Sequence, residues 1–144
     1  MAKKIKTKQP TELELQILKV LWNADPESLP MAVRDIRQRL EESGRILAHT
    51  SVITMLNIMV EKKLVKRTKR KNAFYFVPTV DQEKVQSNFV SDVVHRLFDG
   101  SSGSLMLALL NRDDVDANEL ERIRQLIDEK SKQAKRRKSK GGSK

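Results

Sequence analysis

The chain has no cysteine, which excludes a disulfide framework and any thiolate metal site. Its longest uninterrupted apolar run, Leu105 to Leu110, is six residues, far short of the roughly 20 that span a bilayer as a helix. The N-terminus opens on lysines without the apolar stretch of a signal peptide, so the expectation is a soluble cytoplasmic protein. Glycine is scarce, five in 144 residues, and forms no phosphate-cradling motif. His49 and His95 stand far apart without a ligand cluster or an evident catalytic partner. These absences point away from an enzyme, a metal site, a cofactor and a small-molecule substrate. Only six residues are aromatic. Of these, Trp22 and Tyr75 read as packing groups rather than base-stacking ones.

Charge is what the chain has in excess, and its placement says more than its total. There are 29 Lys and Arg against 19 Asp and Glu. Twelve of the cations fall in the first nine and last fifteen residues, which hold no acid, leaving 17 against 19 in the body. Within that body, Lys62 to Lys71 carries seven cations and no carboxylate. A local positive surface on an otherwise acidic body suits phosphate neutralisation; the plainer reading is a solvated, solubilising hairpin.

Hydrophobic periodicity orders the rest. Thr11 with Glu14 forms a capping-box pattern, opening a helix to about Asn23 with Leu13, Ile17, Val20 and Leu21 inward. Asp25 to Pro30 reads as a loop. A second helix follows from about Met31 to Ser43, with Val33, Ile36 and Leu40 inward and Gly44 as C-terminal cap. The third, Thr50 to Glu61, sets Val52, Leu56, Met59 and Val60 on one side and Thr50, Ser51, Thr54 and Asn57 on another. Then come a strand, Leu64 to Arg67, a basic turn through Lys69, Arg70 and Lys71, and a second strand, Phe74 to Val77. A polar-faced helix leading into a basic hairpin is the layout of a winged helix-turn-helix, which sets a helix in the major groove and a hairpin against the backbone.

After Pro78 the composition shifts. Asp81 opens a helix to about Phe98, with Val85, Phe89, Val93 and Leu97 at spacings near four, and residues 99–103 read as a flexible break. Ser104 to Leu110, including Leu105, Leu107 and Leu109, is short and apolar, and Asp116 with Glu119 caps a last helix whose face is Leu120, Ile123, Leu126 and Ile127. Between Asp81 and Glu129 there are five basic and eleven acidic residues, unsuited to DNA. So much apolar surface with no sheet to cover it suggests a homodimer; the alternative is a monomeric three-helix subdomain. The expected fold is mainly α: a disordered basic arm (1–9), a winged-helix domain with a small two-stranded wing (10–79), a helical dimerisation domain (80–130) and a disordered basic tail (131–144).

From Thr11 to Ile127 the chain resembles the penicillinase-repressor and methicillin-resistance-repressor family of bacterial transcription factors. The resemblance rests on Thr11 to Leu18 with Leu21-Trp22, on Thr54-Met55-Leu56-Asn57, on Val60-Glu61-Lys62, on Phe74 to Pro78 and on Phe98 to Ser101 with the apolar helix after it. It implies a winged helix, a helical dimerisation domain and repression through a palindromic double-stranded DNA operator. Two positions depart from the family pattern: Ile58 stands where an Arg is common, and Lys63 where a Gly is common before the wing. The family's cleavage site for a membrane sensor protease is an Asn-Phe pair, matched here by Ala108-Leu109. The absence of cysteine excludes the inducer of the copper-sensing branch.

Residue roles follow from geometry. Thr54 and Asn57 suit base edges, Asn toward adenine; Thr50 and Ser51 either join them or cap the helix. Ile53 either meets a thymine methyl or packs. Lys62, Lys66, Arg67, Lys69, Arg70 and Lys71 read as phosphate contacts, with strand alternation pointing half of the wing cations at DNA. The basic tail either binds nucleic acid or only solubilises. Two rival readings remain: a nucleoid-type protein coating DNA through its tails, and a winged helix used for protein contact.

Overall fold

A computed structural model describes residues 9–142, with side chains through Lys138; the lysines expected in the N-terminal arm lie outside the described residues. The elements run α1 (Glu12–Trp22), a 3₁₀ turn (Pro26–Ser28), β1 (Met31–Ala32), α2 (Val33–Glu42), α3 (His49–Glu61), β2 (Val65–Arg70), β3 (Ala73–Pro78), α4 (Gln82–Leu97), α5 (Ser102–Leu110) and α6 (Ala117–Gly142). The fold is a winged helix followed by a helical C-terminal region. Two compact units divide within α4, the first ending at Asp92 and the second beginning at Val93.

The first unit is built on one apolar core. Ile17, Leu18 and Leu21 of α1, Ile36 and Leu40 of α2, and Val52, Leu56 and Met59 of α3 meet Met31, Leu64, Val65 and Phe76 from the sheet region, all 3 % exposed or less. The capping box forms as the sequence implies: the Glu14 amide donates to Thr11 Oγ1 at 3.3 Å, and the Thr11 amide to Glu14 Oε1 at 2.9 Å. Trp22 is half-buried against this core and its indole N–H donates to the Val80 carbonyl at 2.9 Å.

The sheet corrects one expectation. It has three antiparallel strands in the order β1-β3-β2, because Met31 and Ala32 pair with Phe76 and Tyr75. The second helix therefore starts two residues late, at Val33. A two-residue strand has no periodicity of its own, so only its distant partner reveals it. The wing also differs in its turn. Lys69 and Arg70 belong to β2, and Arg70 pairs with Ala73 across a two-residue connection, Lys71-Asn72, with Lys71 at φ +56°.

Helices α2 and α3 end in the same hydrogen-bonded motif. After α2, the Gly44 amide donates to Glu41 and the Arg45 amide to Leu40 (3.0 and 2.8 Å), with Gly44 at φ +101°. After α3, the Lys63 amide donates to Val60 and the Leu64 amide to Met59 (3.0 and 2.9 Å), with Lys63 at φ +65°. Both are Schellman closures, the second sealed by buried Leu64 and Met59. Lys63 thus holds a left-handed conformation that glycine adopts freely. Lys63→Gly is expected to raise the unfolding free energy by about 0.5–1 kcal/mol, the relieved strain exceeding the entropy that glycine adds to the unfolded chain. A urea midpoint that stays put or falls refutes this account.

The second unit has little core: Val94 is its one buried apolar residue among those described. Ser101 caps α5, accepting from the Ser104 amide at 3.1 Å, so Ser102 and Gly103 are helical where a longer break is expected. Asp116 caps α6 through the Glu119 amide at 2.8 Å. That helix does not stop near residue 130 but continues to Gly142, at odds with a disordered tail over 131–142. Lys, Arg, Gln and Ala are strong helix formers, and the segment has no proline to end the run.

Candidate nucleic-acid interface

Helix α3 buries Val52, Leu56 and Met59 and leaves the opposite side in solvent. At 100° per residue, Thr50, Thr54 and Asn57 fall within about 60° of one another, diametrically across from the core stripe. All three are exposed. Ser51 and Ile58 flank the stripe on one edge and Ile53 on the other; all are exposed, Ile53 only marginally.

The N-terminus of α3 settles one open alternative. Its cap is Ala48, with no side-chain hydrogen bond to the first turn, which also has no acidic residue. Thr50 and Ser51 sit inside the helix rather than at its cap, so their hydroxyls are not used in capping. The first-turn amides, lacking a side-chain acceptor, carry the positive end of the helix dipole, where a phosphate oxygen is favoured. Ile46 in the preceding connection is 76 % exposed. It stands alone, outside any periodic run, so hydrophobic periodicity assigns it no role.

The wing distributes its cations over two faces. Register pairs Arg67 with Phe76 and Lys69 with Phe74, and on the other face Lys66 with Val77 and Thr68 with Tyr75. On the first face the Arg67 guanidinium lies 4.8 Å, and the Lys69 ammonium 5.9 Å, from the centroid of the Phe74 ring. On the second, Arg70 lies over Tyr75 at 5.7 Å. Such cation–π contacts restrain long side chains without neutralising them. Lys71 occupies the tip.

Three of the expected DNA-facing residues, Arg67, Asn57 and Lys62, have polar partners within the chain that the sequence did not reveal. Arg67 Nη1 donates to Asn57 Oδ1 at 3.0 Å, tying the wing to the exposed stripe of α3. Lys62 Nζ lies 3.0 Å from Glu14 Oε1. The Glu14 side chain is 2 % exposed and that of Lys62 25 %, so this ammonium compensates a buried carboxylate and braces the end of α3 against α1. The geometry removes Lys62 from the cations aimed outward; Lys66, Arg67, Lys69, Arg70 and Lys71 remain exposed on the hairpin.

The residues expected to dimerise separate into groups. Phe89 belongs to the first unit, lining a groove with Leu15, Trp22 and Val85. In the second unit Val93, Leu105 and Ile123 are half-buried, while Leu97, Leu107 and Leu120 are exposed. Met106, Leu109, Leu110, Leu126 and Ile127, between 40 and 54 % exposed, line an apolar groove between α5 and α6 with Ile123. Ala108-Leu109, the pair that the resemblance sets opposite the family's cleavage site, lies in α5. No helix among the described residues is long and apolar enough to cross a membrane.

Comparison with known proteins identifies the family. The profile of a family described as penicillinase repressor matches residues 10–129. The chain is similar to a penicillinase repressor from Staphylococcus aureus, 19 % identical over 119 residues that cover 83 % of this chain and 90 % of that one. It is also similar to the methicillin resistance regulatory protein MecI of Staphylococcus aureus strain N315, 18 % identical over 87 % of this chain and 98 % of that one. The transcriptional regulator BlaI of Mycobacterium tuberculosis (strain CDC 1551 / Oshkosh) is 27 % identical, with 82 % of each covered.

Proposed function

Because the chain belongs to the penicillinase repressor family, we propose that it represses transcription as a homodimer that binds a palindromic DNA operator. The observation carrying this reading is the Arg67–Asn57 hydrogen bond, which joins the cationic wing to the solvent-facing stripe of α3. One surface then offers short polar groups to base edges and long cations to phosphates. Thr54 and Asn57 read bases, Thr50, Ser51 and the first-turn amides of α3 meet the backbone, and the wing cations supply affinity.

The dimer is supported by the second unit. Its apolar groove lies open on helices that bury almost nothing among themselves, and a second copy of the same segment covers such a surface in the symmetry most soluble oligomers adopt. Two-fold symmetry in the protein matches an inverted repeat in the operator. A coating protein without sequence choice is the rival, and it is separated by the ratio of affinities.

The test is to select bound fragments from the genome of the source organism and measure affinity for the recovered sequence and for random duplex. An inverted repeat held about 10³-fold more tightly than random DNA is expected; a ratio near one refutes the repressor reading. Arg70→Ala is expected to weaken binding to both duplexes and to flatten the dependence of log affinity on log salt by about one unit. An unchanged slope means that Arg70 faces away from the duplex.

A further inference from the structure

Helix α6 changes character at Lys130. From Ala117 to Glu129 it carries two cations and four acids, Glu119 in the first turn among them, and Arg124 pairs with Glu121 at 2.6 Å and Asp128 at 3.8 Å. From Lys130 to Lys138 it carries six cations (Lys130, Lys132, Lys135, Arg136, Arg137 and Lys138) and no acid. None of the six forms an ion pair among the described residues. The family match ends at residue 129, so this basic stretch lies beyond the family's shared region, held on a continuous helix rather than on a coil.

We propose that the basic end of α6 is a second nucleic-acid contact, a helical anchor for the phosphate backbone of duplex DNA that adds affinity without reading sequence. The proposal rests on the repressor reading for its choice of duplex DNA as partner. Three observations favour that partner. First, the stretch contains no large apolar side chain, Ala134 being its one apolar residue. A helix that lies in a membrane interface needs an apolar face to bury. Second, α6 has no aromatic residue, and recognition of single strands relies on aromatic stacking platforms. What remains is a rod of charge. Over the roughly 13 Å that nine helical residues rise, a B-form duplex presents about eight phosphate charges.

Third, the cations are disposed for it. Lys132, Lys135 and Arg136 share an arc of about 100° on the helix. Lys130 and Ala134 lie on the opposite side, where they extend the apolar groove of α5 and α6. An occupant of that groove, such as the second copy proposed above, leaves Lys132, Lys135 and Arg136 in solvent. Three cations are thus available per protomer for phosphates.

The experiment compares the full chain with its Lys132→Gln, Lys135→Gln, Arg136→Gln variant, chosen because glutamine keeps helix propensity. Each is titrated against a selected operator duplex and a random duplex of equal length over a salt series, with circular dichroism confirming equal helix content. Neutralisation is expected to weaken binding to both duplexes about equally, by about 10- to 100-fold at 0.1 M salt, and to flatten the salt slope by about three units per protomer. The preference for the operator then stays unchanged. Equal affinities and slopes for the two proteins overturn the anchor and leave a solubilising extension. Loss confined to the operator overturns its indifference to sequence. Loss of binding to single-stranded RNA or phosphatidylglycerol vesicles, with duplex binding intact, assigns the cations to another partner and also overturns it. A parent chain that never distinguishes operator from random duplex refutes the repressor reading instead, while the comparison of slopes still judges the tail.

Discussion

Lys62→Met is expected to lower the unfolding free energy by about 2–3 kcal/mol, a large fraction of the stability of a domain this size. The cause is what the substitution leaves behind. Glu14 is 1 % exposed, and its carboxylate has two partners, the Thr11 amide and the Lys62 ammonium. Methionine keeps much of the length of the lysine stem but removes the charge, so the carboxylate stays buried with one amide for company. Partial exposure of Lys62 lets some water in, which places the expected cost below that of a fully buried pair. The double variant with Glu14→Gln removes the charge as well and keeps an oxygen for the cap. It is expected to recover about half of the loss, giving a coupling energy in a double-mutant cycle. Denaturant unfolding of the four proteins measures it. If Lys62→Met leaves stability untouched and instead flattens the salt dependence of DNA binding, the residue is a phosphate contact and the brace is wrong.

Asn57→Ala is expected to weaken operator binding by roughly 1–3 kcal/mol, the range for a lost bidentate base contact, with much less effect on random duplex. The Arg67–Asn57 hydrogen bond adds a second way for this side chain to act. An Asn that serves only to orient Arg67 toward phosphate would, when removed, weaken both duplexes alike. The double variant with Arg67→Ala separates the two roles. Base reading by Asn57 predicts that its selective loss persists without Arg67; positioning alone predicts that it vanishes.

Local chemistry makes most of the first unit legible in the amino-acid sequence. The capping box at Thr11 and Glu14, the glycine closing α2 and the apolar spacing of α1 to α3 each depend on neighbours within about four residues, so sequence reports them directly. The solvent-facing stripe of α3 is legible for the same reason: once Val52, Leu56 and Met59 are inward, helix geometry alone sends Thr50, Thr54 and Asn57 outward. At the end of α6 two local signals conflict. Charge density argues for disorder, the helix propensity of the same residues argues the other way, and the structure follows propensity.

What sequence determined, then, is the inventory of faces: which side of each helix is apolar, which is polar and where the cations cluster. Tertiary structure decided how those faces are used. Met31 and Ala32 become a strand only because β3 lies beside them. Lys62 is a brace because the fold brings it to a buried carboxylate 48 residues away in sequence, and Arg67 is a link because the wing folds back on α3. A side chain's periodicity is set by bonds along the chain, but its partner is set by packing between segments that no local pattern records.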